Sequence, residues 1–102
     1  MSYTLYTDAI SNRYKELANN ARDKMSILNS FTIIHENISN ILDKYHILAT
    51  ECDIIANNRL SDIDYVSALV RVETAMNEVN NTQNSYIRDL YAELTESLAQ
   101  EP

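Results

Sequence analysis

Apolar residues recur every three or four positions along nearly the whole chain, which is the spacing of one face of an α-helix. The middle of the chain is the most regular part, with alternating steps of three and four from residue 31 to residue 55. Its members are Phe31, Ile34, Ile38, Ile41, Tyr45, Leu48, Cys52 and Ile55. Such a seam is typical of a coiled coil or an antiparallel helical hairpin. Ile33, Leu42, Ile47 and Ile54 widen it, which predicts contact with more than one neighbouring helix.

Two further stripes flank this seam. The first comprises Ile10, Tyr14, Leu17, Ala21, Met25 and Leu28, with Thr7 as a candidate N-cap and fraying expected before it. The last comprises Val66, Leu69, Val72, Met76, Val79, Gln83, Ile87, Leu90, Leu94 and Leu98. Near Asn29 the phase slips, and the pattern leaves open a bend, a break or a stutter in one long helix.

A corner is predicted between the second and third stripes. Asn57 and Asn58 are suited, after glycine, to the left-handed conformation that closes many helices. Ser61 then fits an N-cap, and Asp62 and Asp64 fit a first helical turn, where the helix dipole favours negative charge. A loop this short folds its helices back as antiparallel neighbours.

These patterns predict an all-α fold, either an antiparallel helical hairpin or a three-helix bundle with coiled-coil-like seams. The predicted single domain covers residues 1–102, with helices at about 7–28, 31–56 and 62–99 and a loop at 57–60. The chain has no glycine and its one proline is the last residue, which argues against a multi-stranded sheet. Asn77, Asn80, Asn81, Gln83 and Asn84 interrupt the last stripe. They predict either buried amides that set register or a solvent-facing stretch where the partner helix has ended, with the second favoured.

Composition and charge narrow the classes of function. The net charge of −7 makes nucleic-acid binding and docking on an anionic membrane unfavourable, because both call for a basic patch. We expect no membrane insertion, since no run approaches the roughly 18 apolar residues of a span. The N-terminus lacks the order of a signal peptide, so we expect a cytoplasmic protein, or one exported without a cleaved signal.

The reactive residue types form no recognisable chemical site. Cys52 is the only cysteine and lies on the apolar seam, which predicts a buried, structural thiol. His35 and His46 share a helical face but lie roughly 16 Å apart, too far to bind one metal ion. We therefore predict no catalytic residue, no metal and no cofactor, and hence a protein that is not an enzyme.

The apolar stripes instead predict contact with other helices, either of other proteins or of another copy of the chain. The candidate partner-binding residues are Ile34, Ile38, Ile41, Tyr45, Leu69, Val72, Met76, Ile87 and Leu90. In a monomeric bundle the same residues would form the core. The expected role is a subunit or small chaperone of a secretion system or another multi-protein assembly. The alternative is an acidic inhibitor or nucleic-acid mimic, which requires carboxylates clustered on one exposed face.

Residues 58–91 resemble the helical hairpin segment of TolC-type outer-membrane export channel proteins. Asn58 stands where that family has a glycine, Ser61 at its hydroxyl position and Asp64 at its acidic position. The positions that follow in register are Ala68, Ala75, Val79 and Tyr86. A second resemblance, over residues 31–98, is to the flagellar rod-base and type III secretion inner-rod proteins, through the stretch Tyr91-Ala92-Glu93-Leu94. Both resemblances imply helices that pack into secretion assemblies.

Overall fold

A computed structural model describes residues 4–30 and 36–100, apart from the side chains of residues 36, 37, 90, 93, 94 and 97–100. Within these ranges the chain forms three helices and no strand, which confirms the predicted all-α fold. The helices are α1 (Asp8–Asn29), α2 (Glu36–Asn57) and α3 (Asp62–Gln100). Helix α2 packs against both α1 and α3, so the widened middle seam correctly predicted two neighbours. The predicted helix start at residue 31, and with it Ile34, lies outside the described residues.

Side-chain hydroxyl groups form hydrogen bonds with the backbone at both ends of helix α1. The Thr7 hydroxyl accepts a hydrogen bond from the Ile10 amide at 3.3 Å, which confirms the predicted N-cap. At the other end the Ser30 hydroxyl donates to the Ile27 carbonyl at 2.6 Å. Of the three possibilities near Asn29, the structure shows a break, because the helix ends at that residue.

The corner between α2 and α3 lies where the sequence predicts it, but α2 ends differently. Ser61 is buried, and its hydroxyl accepts from the Asp64 amide at 3.3 Å, which confirms the N-cap. No described residue has a positive φ, so the predicted left-handed closure at Asn57 or Asn58 is wrong. The Asn58 side-chain amide instead donates to the Ile54 carbonyl at 2.8 Å. One orphan carbonyl of the last turn is thus satisfied by a side chain.

The core follows the predicted stripe on α2 and departs from it on α3. Every described member of the middle seam is buried: Ile38, Ile41, Tyr45, Leu48, Cys52 and Ile55. On α3 the buried stripe is Tyr65, Ala68, Val72, Ala75 and Val79. Val66, which the sequence analysis placed in the stripe, is 50% exposed. The face in contact with α2 is therefore rotated toward the alanines.

Alanines are among the most enclosed residues between the helices. Ala18, Ala21, Ala49, Ala56, Ala68 and Ala75 are each at most 4% exposed. A methyl side chain lets two helix backbones approach closely. A hydrophobicity pattern weights long side chains, which is why it misplaced the α3 stripe by a fraction of a turn.

The segment before α1, where the sequence analysis expects fraying, contacts the α2–α3 corner in its described part. The Tyr6 hydroxyl donates to the Ile55 carbonyl, and the Ser11 hydroxyl donates to the Ala56 carbonyl at 2.6 Å. Tyr6 also packs edge-on against Tyr65, with ring centroids 6.1 Å apart. These hydroxyls satisfy carbonyls in the last turn of α2 that have no partner within the helix.

Asp62 holds the same segment from the other side. Its carboxylate accepts hydrogen bonds from the Thr4 hydroxyl at 2.7 Å and from the Leu5 amide at 2.9 Å. The sequence predicted only a favourable interaction of this residue with the helix dipole. The structure adds a second role, in which Asp62 ties the N-terminal segment to α3.

Candidate interaction surface

Helix α3 is much longer than the helix it packs against, with 39 residues compared with 22 in α2. Two ion pairs set their antiparallel register: Arg71 with Glu51 at 2.9 Å, and Lys44 with Glu78 at 3.2 Å. A step of seven residues along α2, from 44 to 51, therefore matches a step of seven along α3, from 78 back to 71. In this register the first residue of α2, Glu36, lies level with about residue 86 of α3. The last 14 residues of α3, 87–100, extend about 20 Å further, and we call them the overhang. The overhang accounts for the elongated shape of 69 × 23 × 18 Å.

The overhang carries exposed apolar side chains. Ile87 is 60% exposed and Tyr91 is 71% exposed, and both lie on one face of the helix. Positions 90, 94 and 98, all leucines, continue this face at helical spacing. The sequence analysis placed Ile87 and these three leucines in one stripe. Only the structure shows that α2 has ended before the stripe does.

A groove runs between α1 and α3 over the surface of α2. It has a volume of about 290 Å³ and is lined by Leu17, Asn20, Ala21 and Lys24 from α1, Leu48 from α2, and Met76, Val79 and Asn80 from α3. This volume is at the lower limit for small-molecule pockets, and the groove is partly open to solvent. Its shape suits inserted side chains from another helix better than an enclosed ligand.

The α3 wall of the groove and the overhang form one continuous helical face. Half-buried Leu69, exposed Met76 and exposed Ile87 recur at intervals of seven and eleven residues, which keeps them in line on α3. This line lies beside the stripe that packs on α2. We call the combined surface, from Leu69 to the end of the overhang, the α3 side face.

Charges are arranged unevenly around this face. Lys24 lines the groove, and Arg13 lies on the same side of α1, eleven residues earlier. On the overhang, the sequence places Asp89, Glu93 and Glu96 at spacings of four and three, on the side of the helix away from Ile87 and Tyr91. The margin of the groove on α1 therefore carries two basic residues, whereas the acidic residues of the overhang lie away from its apolar face.

Other charges link the helices to one another. Arg22 of α1 pairs with Asp53 of α2, in addition to the two ion pairs between α2 and α3. All three pairs are partly solvent-exposed, so each contributes at most about 1 kcal/mol. The described carboxylates are distributed over all three helices, with exposed examples at Asp8, Asp43 and Glu96.

The structure divides the nine predicted partner-binding residues into groups. Ile38, Ile41, Tyr45 and Val72 are at most 7% exposed and lie in the core of this chain. Leu69 is half-buried, whereas Met76 and Ile87 are 40% and 60% exposed. Ile34 and the side chain of Leu90 lie outside the described parts of the structure. The accessible residues among the nine thus belong to the α3 side face.

The amide-rich stretch of α3 contributes one interhelical hydrogen bond. Gln83 donates from its side-chain amide to the Tyr45 hydroxyl at 2.7 Å. The asparagines of the same stretch are exposed: Asn77, Asn80, Asn81 and Asn84. They face solvent, as the favoured explanation predicts. The reason that it gave is wrong, because α2 has not ended and still runs beside α3 at this level.

The sequence analysis missed two features of the surface. The sequence does not indicate that Leu17 and Lys24 line a groove. The pattern within one helix carries no information on the distance between two neighbouring helices. Ile63, Val66 and Val70 form an exposed row on the side of α3 opposite the core, with exposures of 79%, 50% and 59%. Their spacing of three and four was visible in the sequence, but the dominant stripe obscured it.

The buried polar side chains of the bundle have hydrogen-bond partners, and its buried thiol is uncharged at neutral pH. Burial raises the pKa of the Cys52 thiol to about 11, with Asp53 and Glu51 adding to the effect, so the thiol is protonated at neutral pH. Burial, followed by the neighbouring Tyr65, also raises the pKa of the Tyr14 phenol. Within the described residues, every buried side-chain nitrogen or oxygen has a hydrogen-bond partner, and no cluster of potential metal ligands occurs. His46 is exposed, and His35 lies outside the described ranges.

Comparison with family models, with curated proteins and with solved structures finds no match to this chain. Among the helical residues that the structure describes, no helix combines the length and the apolar character needed to cross a bilayer.

Proposed function

We propose that the protein is a non-enzymatic helical interaction module that binds its partner through the α3 side face. The observation that carries this proposal is the overhang, where an amphipathic helix continues past the end of α2 with Ile87 and Tyr91 exposed. A helix gains most of its stability from packing of its apolar face, and the overhang has a face of this kind beyond the three-helix bundle.

The groove supports the same proposal. Met76 of the groove lies in line with Ile87 of the overhang on one face of α3, with Asn80 and Gln83 between them. Together they offer a surface that another helix can follow. Recognition of this kind uses anchor side chains spaced along a partner helix. The two resemblances to secretion proteins favour a role as a subunit or small chaperone of such an assembly, which is part of the proposal.

Site-specific photo-crosslinking in the native cell tests this function. A photo-reactive phenylalanine analogue replaces Tyr91 in the overhang, and a control variant carries it at Asn12, an exposed position of α1 away from the groove. We expect discrete protein adducts at position 91 and none at position 12. Absence of adducts at position 91, or equal adducts at both positions, would contradict the proposal.

A further inference from the structure

We infer that the segment before α1 is a strap that sets the width of the groove by holding α1 and α3 together at the α2–α3 corner. The strap comprises residues 4–7, which lead from the first turn of α3 to the start of α1. Its release lets α1 move away from α3 and widens the groove. This regulation of the α3 side face rests on the proposed function for its purpose, but its test measures the groove alone.

The two walls of the groove are not packed directly against one another. Helices α1 and α3 form the walls, and Leu48 of α2 lies between them. Both walls pack on α2, but among the described residues no Cα atom of α1 lies within 8 Å of a Cα atom of α3. The separation of the walls therefore depends on how each helix lies on α2 and on the side chains and the strap that join them.

The strap is hydrogen-bonded to α3 and continuous with α1. In the first turn of α3, the Asp62 carboxylate accepts from the Thr4 hydroxyl at 2.7 Å and from the Leu5 amide at 2.9 Å. Hydrogen bonds to a charged acceptor are stronger than those between neutral groups. At its other end the strap runs into Thr7, the N-cap of α1. A movement of the strap relative to Asp62 is therefore transmitted to the start of α1.

Three buried tyrosines fill the space between the walls at the corner. Tyr6 of the strap packs edge-on against Tyr65 of α3. Tyr14 of α1 lies beside the same residue, since Tyr65 is, after burial, the next cause of the raised pKa of Tyr14. The α1 wall of the groove begins at Leu17, about one turn beyond Tyr14. The space between α1 and α3 is thus filled near the strap and open further along.

Helix α1 acts as a lever on the groove. Lys24, which lines the groove, lies about 25 Å along the helix from Thr7. A tilt of about 5° at the strap displaces Lys24 by about 2 Å, the size of the helix shifts that accompany many conformational switches. The ion pair of Arg22 with Asp53 ties this part of α1 to α2, but it is partly solvent-exposed and therefore weak.

The distance between spin labels on the two walls tests the inference in the full chain. The labels are attached to cysteines that replace Asn20 of α1 and Asn77 of α3, both exposed. Cys52 is fully buried and its thiol is uncharged at neutral pH, so it should not react with the labelling reagent. Mass spectrometry verifies that two labels are present, and pulsed electron paramagnetic resonance measures the distance between them.

Two variants release the strap from opposite sides. Asp62→Ala removes the acceptor of both strap hydrogen bonds, and we expect the mean distance between the labels to increase by about 2 Å and its distribution to broaden. Tyr6→Leu removes the ring contact with Tyr65 and should have the same effect. Asp62 is only partly buried, so Asp62→Ala should fold even if Tyr6→Leu does not. Circular dichroism verifies that the helices are intact in each variant.

The matched control is Asp64→Ala, which removes the same charge from the same turn of α3 at an exposed position. Asp64 contributes its backbone amide to the N-cap of α3, and the substitution retains that amide. This variant should leave the distance unchanged. An unchanged distance in folded Asp62→Ala, or an equal increase in Asp64→Ala, would overturn the inference.

The two proposals fail separately. Crosslinked adducts at position 91 together with an unchanged label distance in Asp62→Ala overturn the strap and leave the interaction module supported. A groove that widens in a chain without adducts at position 91 supports the strap and contradicts the interaction module.

Discussion

Enlarging Ala68 should destabilise the bundle more than the size of the change suggests. Ala68 is fully buried on α3, where the helix packs against α2. Leucine at this position adds three carbon atoms to a site that is fully enclosed, so the two helices must move apart or the side chain must leave its preferred rotamer. Overpacking of a well-packed core costs about 1–3 kcal/mol. Since a domain of this size is stable by about 5–15 kcal/mol, the loss is a substantial fraction of the total.

Thermal and urea unfolding followed by circular dichroism measure this cost. For a domain of about 100 residues, 1 kcal/mol corresponds to roughly 4–8 °C, so Ala68→Leu should lower Tm by about 5–20 °C. Parent and variants must be compared at one protein concentration, because self-association would make Tm depend on it. The control is Ala92→Leu, at an exposed position of the same helix, which should change the free energy of unfolding by less than about 0.5 kcal/mol. Equal effects of the two substitutions would refute the account of alanine-mediated packing.

Three further predictions concern the corner and the buried thiol. Tyr6→Phe should cost about 1 kcal/mol in urea unfolding, because the Ile55 carbonyl loses its hydroxyl donor, and an unchanged midpoint would show that this hydrogen bond contributes nothing. Ser61→Ala should cost a similar amount through loss of the N-cap, whereas Ser39→Ala, at an exposed position of α2, should cost much less. Cys52 should resist thiol reagents at pH 8 in the native state and react readily in urea. Its folded pKa of about 11 lies above the ordinary value of 9.0, so stability should be unaffected by this group below pH 9 and fall between pH 9 and 11. Rapid native labelling, or stability that rises over that interval, would contradict the burial of the thiol.

The sequence by itself determined the helical class, the position of the corner and the buried face of the central helix. These features follow from local physics. Periodicity of apolar residues identifies a helix, hydroxyl residues at Thr7 and Ser61 satisfy orphan amides, and the absence of glycine and internal proline leaves helix as the consistent choice. Burial of Cys52 was predictable for the same reason, since it lies in the middle of an unbroken seam.

Only the tertiary structure decided how far the helices overlap and which side of α3 meets α2. Ala68 and Ala75 give a weak signal in a hydrophobicity pattern, yet their small size allows the closest approach and rotates the helix so that Val66 faces solvent. The role of Tyr6 depends on two carbonyls about 50 residues away, which no local pattern contains. The groove and the overhang depend on the lengths and divergence of three packed helices, and these are properties of the assembled bundle.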